Sequence, residues 1–329
     1  MRPVRLPPNP LRRTYRGSGA ITRFRGTRGD EEAPEDWVGS TTTAFGEAEL
    51  GLSRLETGLL LRDAIAAEPE GFLGPGRSEP GLLVKLLDAG QRLPVHIHPD
   101  RAFARERLGS PYGKTEAWAI VETHGDAAIW LGFREHVDET ALASWVSTQD
   151  APAMLEALHE LRVAPGDVVF VPAGAPHAIG AGILMVELQE PTDLSILLEW
   201  QGYAVGGEDE AHLGLGWETA LGAVDRSAWP LERLARTVSR VGDGERVPLL
   251  PAAAAPFFGG ERLRPAPRLE LEPSFAILVV LAGSGRLEDV GGELALARGD
   301  TVVVPYGAGA TVLSGALDAI RCLPPAQPA

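Results

Sequence analysis

The chain has 329 residues, 44% of them hydrophobic, and a formal net charge of −15 with a pI near 5.0. It is long enough to bury a sizeable core, and its acidity argues against nucleic acid or an anionic membrane as a partner, since both require a basic surface. One cysteine, Cys322, excludes an internal disulfide framework, and no apolar run approaches the roughly 20 residues that span a bilayer. We therefore expect a cytoplasmic protein with a small-molecule partner.

The first 28 residues contain eight arginines and no acidic residue. Prolines interrupt this stretch and it lacks amphipathic periodicity, so a short edge strand after a frayed terminus fits better than an Arg-rich transit peptide. From 14 to 61, short apolar runs alternate with turn residues, which predicts short antiparallel strands.

Only two of the 30 basic residues are lysines, Lys85 and Lys114. Two explanations are open. The pKa of lysine shifts on burial whereas arginine stays charged, so these two lysines occupy positions where arginine cannot substitute, or the scarcity of lysine reflects codon bias and chance.

The segment GQRLPVHIHPD carries the most chemistry. Successive side chains of a strand point to opposite faces, so His96 and His98 project to the same side. Two imidazoles hold a metal only when other groups complete the coordination shell, and the candidates are Glu116 and His177. The surrounding chain is predicted to form a polar, helix-capable excursion over 99–113 and strands over 82–87, 114–123 and 127–133.

The region after these strands changes character. Apolar residues at helical spacing predict two helical pieces over about 138–162, broken near Pro152. Strand periodicity resumes over 167–172 and 182–200. An amphipathic pattern over about 217–238 then predicts another helix.

A connector rich in Gly, Pro and Ala over 242–260 is the predicted domain boundary. It separates a catalytic, metal-binding domain over 1–241 from a C-terminal domain over 261–329. The C-terminal part contains no histidine, so we expect it to have no metal site.

The C-terminal part repeats the pattern of the first in a reduced form. The sequence GDVVFVP at 166–172 corresponds to GDTVVVP at 299–305, with a constant offset of 133 residues. At that offset His177 corresponds to Ala310. The second copy therefore keeps the sheet pattern without the site.

Two motifs in order, G-x5-H-x-H from Gly90 and G-x5-P-x-G-x2-H from Gly166, match the sequence motifs of the cupin superfamily. The second match lacks only the usual terminal asparagine, where Ala181 stands. Glycines suit the tight turns, and Pro172 suits a strand end where no amide donor is needed. The resemblance implies an all-β fold of two jelly-roll barrels with a few peripheral helices.

Glu116 follows His98 by 18 residues, a longer separation than in most cupins, and this excursion resembles the class I mannose-6-phosphate isomerases. The similar stretches LLVKLLDAGQRLPVHIHPD, GKTEAW and VAPGDVVFVPAGAPHAIGAGILMVELQ, with the helical insert, extend the resemblance over nearly the whole chain. It implies a metal-dependent aldose–ketose isomerase acting on mannose 6-phosphate and fructose 6-phosphate or a related sugar pair.

The resemblance also implies roles for single residues. Zinc ligands fall on His98, Glu116 and His177, and a fourth ligand, usually a glutamine in the family, falls on His96. Three histidines and a glutamate suit manganese or iron as well as zinc, so we expect one Zn²⁺ per chain, with Mn²⁺ or Fe²⁺ as alternatives. Lys114 falls on the lysine of the GKTE segment and is implied to be catalytic, either by stabilising negative charge or by shuttling a proton.

One departure from the family concerns an arginine. The short bacterial members carry it after the second motif, whereas the segment TDLSILLEW has Leu197 at that position. Leucine removes the bidentate contact that a guanidinium makes with an anion. Either another arginine reaches the site, with Arg105 and Arg107 the nearest in sequence, or the substrate differs.

The general base is expected to be Glu199, on a strand where the family has an acidic residue, with Glu187 and Glu190 as nearby alternatives. Two other functions remain open. The three-histidine shell fits a cupin oxygenase or another small-molecule lyase. The loss of the arginine fits a non-catalytic sugar-binding paralogue.

Overall fold

Residues 1–326 are described by the computed structural model, in which antiparallel strands form three sheets. The N-terminal elements, in chain order, are β1 (Val4–Arg5), β2 (Pro10–Leu11), α1 (Ala20–Arg25), β3 (Glu35–Val38), α2 (Leu61–Ala67), α3 (Pro69–Leu73) and β4 (Leu83–Ala89). Helix α1 lies where short strands were predicted. Its first turn is capped by the distant Asp88 carboxylate, which accepts hydrogen bonds from Ser18 N at 2.7 Å and Ala20 N at 2.8 Å.

The central part of the chain carries both predicted motifs. Its elements are β5 (His96–Ile97), α4 (Arg101–Leu108), β6 (Glu116–Thr123), β7 (Ala128–Phe133), α5 (Glu139–Thr148), α6 (Ala151–Ala157), β8 (Leu158–Arg162), β9 (Asp167–Val171), β10 (His177–Ile179), β11 (Ile183–Gln189) and β12 (Ile196–Leu197). The helical insert is confirmed, but it ends at Ala157 and continues as β8. Asp138 and Asp150 cap its two helices, as expected for a helix break at this point.

The predicted helix over 217–238 is wrong as a single element. The structure has short pieces instead: α7 (Glu208–Ala211), α8 (Trp217–Ala220), a 3₁₀ turn (Leu221–Ala223), α9 (Leu231–Leu234) and β13 (Val238–Arg240). Pro230 is extended, with ψ at 156°, and starts a new helix. Parts of the segment with apolar periodicity do form helices, but Pro230 divides it into separate pieces.

The remaining elements build the C-terminal sheet. They are β14 (Arg246–Pro248), β15 (Gly259–Leu263), β16 (Arg268–Leu271), β17 (Ala276–Asp289), β18 (Gly292–Ala297), β19 (Thr301–Val304) and β20 (Thr311–Leu323). This sheet also includes β1, and its strand β14 lies inside the segment predicted as a connector.

The strand order explains how the site is enclosed. One sheet has the order β13-β9-β6-β11-β4-β3-β2, and a second has the order β12-β5-β10-β7-β8. The C-terminal sheet has the order β1-β19-β17-β20-β15-β14, with β16 also paired to β20 and β18 to β17. An all-β, cupin-like fold is therefore confirmed.

The seven-stranded sheet has two different faces because its side chains alternate. On β4, Leu87 belongs to the apolar core on the side of the five-stranded sheet, whereas Val84 and Leu86 belong to a core shared with the C-terminal sheet. Ile277 and Val279 of β17 lie in that shared core. The site-bearing sheets and the C-terminal sheet are thus packed together through apolar side chains. Within residues 1–326, no helix is long and apolar enough to cross a membrane.

Candidate metal centre

The three motif histidines come together on the five-stranded sheet. His96 on β5 and His177 on β10 are directly paired across two antiparallel strands, and His98 directly follows β5. The candidate ligand atoms of the three side chains all lie within 4.8 Å of one another, and all three residues are buried. The arrangement fits three ligands of one ion.

The imidazoles share one orientation, in which Nδ1 faces a backbone carbonyl oxygen. A carbonyl only accepts, so each Nδ1 carries the proton and each Nε2 presents a lone pair. Metal-binding histidines are oriented in the same way. The pairs are His96 Nδ1 with Pro94 O at 2.8 Å, His98 Nδ1 with Leu194 O at 2.9 Å, and His177 Nδ1 with Ala175 O at 2.8 Å.

Glu116 at the start of β6 closes the group from the opposite sheet. Its Oε2 lies 3.1 Å from His98 Nε2, and its Oε1 lies 3.3 Å from His177 Nε2. Trp118 Nε1 donates to Oε1 at 3.1 Å and orients the carboxylate. Glu116 Oε2 and His177 Nε2 are buried without a hydrogen-bond partner among the described residues, and a cation would satisfy both.

The protonation states suit a metal. Burial, followed by the neighbouring His177 and His98, holds the pKa of His96 well below its ordinary value. Burial and then Lys114 lower the pKa of His98 to about 3. Burial opposes ionisation of Glu116, but Lys114 and His98 outweigh it and hold its pKa well below the ordinary range. Neutral imidazoles and a carboxylate are the donor forms that a metal needs.

The chain's two lysines are both buried beside this group. Lys114 Nζ lies 2.9 Å from His98 Nε2, 3.2 Å from Glu116 Oε2 and 3.9 Å from Glu187 Oε1. Its ammonium thus places a positive charge next to two candidate ligands. Lys85 Nζ lies 3.8 Å from Glu187 Oε2 and 3.4 Å from Glu35 Oε2.

A cavity of about 400 Å³ opens onto this centre, and His96, Glu116, Lys85, Lys114 and Glu187 are among the residues that line it. Lys85, Glu187 and Trp118 form one cross-strand row over β4, β11 and β6. Burial and then the neighbouring Glu116 raise the pKa of Glu187, although the two lysines oppose this. A carboxyl group therefore lies between two ammonium groups, close to the candidate ligands.

The structure does not bring Glu199 to this cavity. Its carboxylate forms a bidentate ion pair with Arg92, in which Oε2 accepts from Nη1 at 2.7 Å, and the same oxygen accepts from Val95 N at 2.9 Å. Both oxygens are occupied by structural contacts. Glu190 is similarly engaged, since it accepts from Thr115 N and pairs with Arg101.

Leu197 lines the cavity, and its backbone pairs with that of His96. Arg105 and Arg107, the nearest arginines in sequence, are exposed on α4 and do not line the cavity. The arginines that do line it are Arg12 and Arg13.

The N-terminal segment also contributes to the cavity, and this contribution was not predicted from the sequence. Tyr15 and Glu35 also line the cavity, and Tyr15 donates to Glu35 Oε1 at 2.5 Å. The arginine-rich composition was a signal. The composition alone did not indicate which residues these arginines contact, because only the tertiary fold brings this segment beside β3 and β4.

Comparison with known proteins finds no family model that matches the chain. The mannose-6-phosphate isomerase ManA of Bacillus subtilis is 30% identical over 245 residues, 73% of both chains. The mannose-6-phosphate isomerase of Streptococcus mutans is 27% identical over 256 residues, 74% of both chains. The crystal structure of the mannose 6-phosphate isomerase from Bacillus subtilis shares the fold, with a TM-score of 0.78 and 22% identity over 98% of this chain and 99% of that one. The chain belongs to the mannose-6-phosphate isomerase family.

Proposed function

We propose that the protein is a metal-dependent isomerase that interconverts mannose 6-phosphate and fructose 6-phosphate. The observation that carries the proposal is the convergence of His96, His98, His177 and Glu116 beside a cavity that also holds two buried lysines. Family membership is consistent with this reaction, because the relatives are named for it.

The proposed ligands are the three histidines and Glu116. A divalent ion held there would act as a Lewis acid towards the sugar oxygens. Zn²⁺ is the first choice for this donor set, and Mn²⁺ or Fe²⁺ would also fit it. Metal analysis of the protein as isolated, followed by reconstitution of the chelated protein with each ion, tests the choice.

The chain's own side chains supply the other requirements of the reaction. Aldose–ketose isomerisation moves a proton between adjacent carbons, so it needs a positioned base and a group that stabilises negative charge. Lys114 has the charge and the position for the second role. For the base we favour Glu187 over Glu199, because Glu187 lines the cavity and its Oε2 has no hydrogen-bond partner among the described residues.

A turnover assay tests the function. Zinc-loaded protein is expected to convert mannose 6-phosphate to fructose 6-phosphate, and chelation is expected to abolish the conversion. Absence of turnover on a panel of phosphorylated and free sugars would refute the proposal. Oxygen uptake would support the oxygenase alternative, and sugar binding by calorimetry without turnover would support a non-catalytic binding protein.

A further inference from the structure

The N-terminal segment forms one wall of the cavity. Four consecutive residues, Arg12 to Tyr15, line it. The segment is fixed in place: Thr14 O accepts from Ala204 N at 3.0 Å, and Tyr15 donates to the buried Glu35. This wall is therefore part of the site.

Arg13 is oriented in this wall by two carboxylates. Its Nη2 donates to Asp193 Oδ1 at 2.7 Å, and its Nε lies 3.6 Å from Glu35 Oε1. The other oxygen of Asp193 accepts from Phe45 N at 3.0 Å, so this partner is itself held in place. Glu35 is held in turn by Tyr15 and by Lys85. The guanidinium is thus positioned by partners that are anchored independently.

The guanidinium keeps donors available. Arginine has five N–H groups, and among residues 1–326 the Asp193 contact is the only hydrogen bond that the Arg13 side chain makes. The side chain is 22% exposed and faces the cavity. Burial alone would lower the pKa of Arg13, but Asp193 and Glu35 outweigh it and raise the pKa, so the charge is permanent.

The cavity offers few other sites for an anion. Lys114 and Lys85 lie between carboxylates near the metal centre, and Leu197 is apolar. Arg12 donates from Nε, Nη1 and Nη2 to Asp30 and Glu32, whereas Arg13 donates from Nη2 alone, and the Arg12 side chain is 67% exposed. A positioned guanidinium with spare N–H groups matches a phosphate monoester, which accepts two parallel hydrogen bonds.

We propose that Arg13 binds the phosphate group of the sugar substrate, as a specificity-determining residue contributed by the N-terminal segment. The proposal rests on the isomerase function proposed above. Arg13 would supply the guanidinium that is absent at position 197, although it comes from a different part of the chain.

The test compares phosphorylated and free sugar. In Arg13→Ala, kcat/KM for mannose 6-phosphate is expected to fall roughly 10–100-fold, mainly through KM, as for loss of a hydrogen bond to a charged group. The value for free mannose should stay within about twofold, since free mannose has no phosphate group for Arg13 to bind. Arg13→Lys keeps the charge without the planar fork and should show a smaller loss. Arg105→Ala, an exposed arginine outside the cavity, is the matched control. Equal losses on both sugars, or no loss on either, would overturn the proposal.

Binding and rescue separate this proposal from the isomerase proposal. Inorganic phosphate should bind the wild-type protein measurably by calorimetry and bind Arg13→Ala at least about tenfold more weakly, whether or not any sugar is converted. Leu197→Arg in the Arg13→Ala background should recover part of the loss. If wild type and Arg13→Ala bind phosphate equally, or neither binds it, Arg13 has no such role. If wild type binds phosphate through Arg13 but converts no sugar, only the isomerase proposal fails.

Discussion

At the scale of single residues, Glu116 connects the two halves of the candidate metal site. It reaches from β6 in one sheet to His98 and His177 in the other, and its two oxygens face different imidazoles. A carboxylate in this position balances part of the charge of a divalent ion and also offsets the ammonium of the neighbouring Lys114. Metal affinity should therefore depend strongly on its charge.

Glu116→Gln keeps the shape of the side chain and removes that charge. We expect metal affinity to fall by more than the roughly 10–100-fold that loss of an outer-shell partner costs. Metal content after dialysis against a weak chelator measures this. Glu122→Gln, the same substitution farther along β6, is the control and should retain its metal. Full metal content in Glu116→Gln would remove Glu116 from the ligand set.

Substitution of the two candidate bases, Glu187 and Glu199, should have opposite effects on kcat and on thermal stability. Glu187→Gln should lower kcat by roughly 10²–10⁴-fold with metal content unchanged, as expected for loss of a general base. Glu199→Gln breaks the bidentate pair with Arg92, so it should lower the melting temperature and leave kcat of the folded enzyme within a fewfold. Steady-state kinetics and thermal unfolding of both variants decide the matter. The reverse pattern would restore Glu199 as the base.

How far the sequence predicted the site depends on the distance along the chain. His96 and His98 lie in one motif and His177 in a second, distant one, so the three-histidine cluster was predicted from the resemblance of both motifs to the cupins. Arg13 and Asp193 are 180 residues apart, and no local pattern indicates that they meet. For the same reason, the sequence did not indicate that the carboxylate of Glu199, the predicted general base, pairs with Arg92.

At the scale of elements, the segment between β4 and β5 packs against the backbone of the N-terminal segment at Gly17 and Ser18. Gly90 was assigned a turn role from the motif, but the structure gives a different reason for glycine. A Cβ at Gly90 would lie 2.3 Å from Gly17 C and 2.6 Å from Ser18 N, so two backbones touch there. The motif glycine at 166 does have a positive φ, of 91°.

Gly90→Ala should therefore destabilise the protein by about 1–3 kcal/mol, the usual range for overpacking. Chemical denaturation measures the change in the free energy of unfolding. Gly222→Ala is the matched control, because a Cβ at Gly222 meets no atom within 4 Å. If both variants unfold at the same denaturant concentration, the backbone at Gly17 can move to accommodate a Cβ at position 90, and the prediction is wrong.

The helices illustrate a similar limit. The insert was predicted from apolar residues at helical spacing, and its caps, Asp138 and Asp150, directly precede the two helices. Helix α1 is capped by Asp88 from β4, a contact that no window of sequence contains. Element type was therefore predictable where the stabilising group is a near neighbour in sequence.

At the scale of the whole molecule, the histidine cluster makes stability depend on pH. Burial and Lys114 lower the pKa of His98 to about 3, whereas an unfolded histidine titrates near its ordinary value of 6.5. Below 6.5 the unfolded chain binds the proton first, so the free energy of unfolding falls as the pH drops towards 3. Glu35, whose pKa is lowered to about 2 because Lys85 and Arg13 outweigh its burial, adds a further loss as the pH falls below 4.5.

The chelated protein should accordingly lose stability between about pH 7 and about pH 5, approaching roughly 1.4 kcal/mol per pH unit for each such histidine. Urea denaturation across this range measures it. His98→Gln removes one titrating group and should give a shallower dependence, whereas His124→Gln, at an exposed histidine, should leave the slope unchanged. A flat profile for the parent protein would contradict the lowered pKa values of His96 and His98.

Strand β1 also has a consequence for synthesis. Val4 pairs with Val303, and the neighbouring segment supplies the cavity wall with Arg13 and Tyr15. Ribosomes add about 5–20 residues per second, so β1 waits roughly 15–60 s before its partner strand emerges. The chain thus holds β1 without its partner strand for most of translation, whereas Asp193 and Ala204, which contact Arg13 and Thr14 of the cavity wall, are synthesised about 100 residues before Val303.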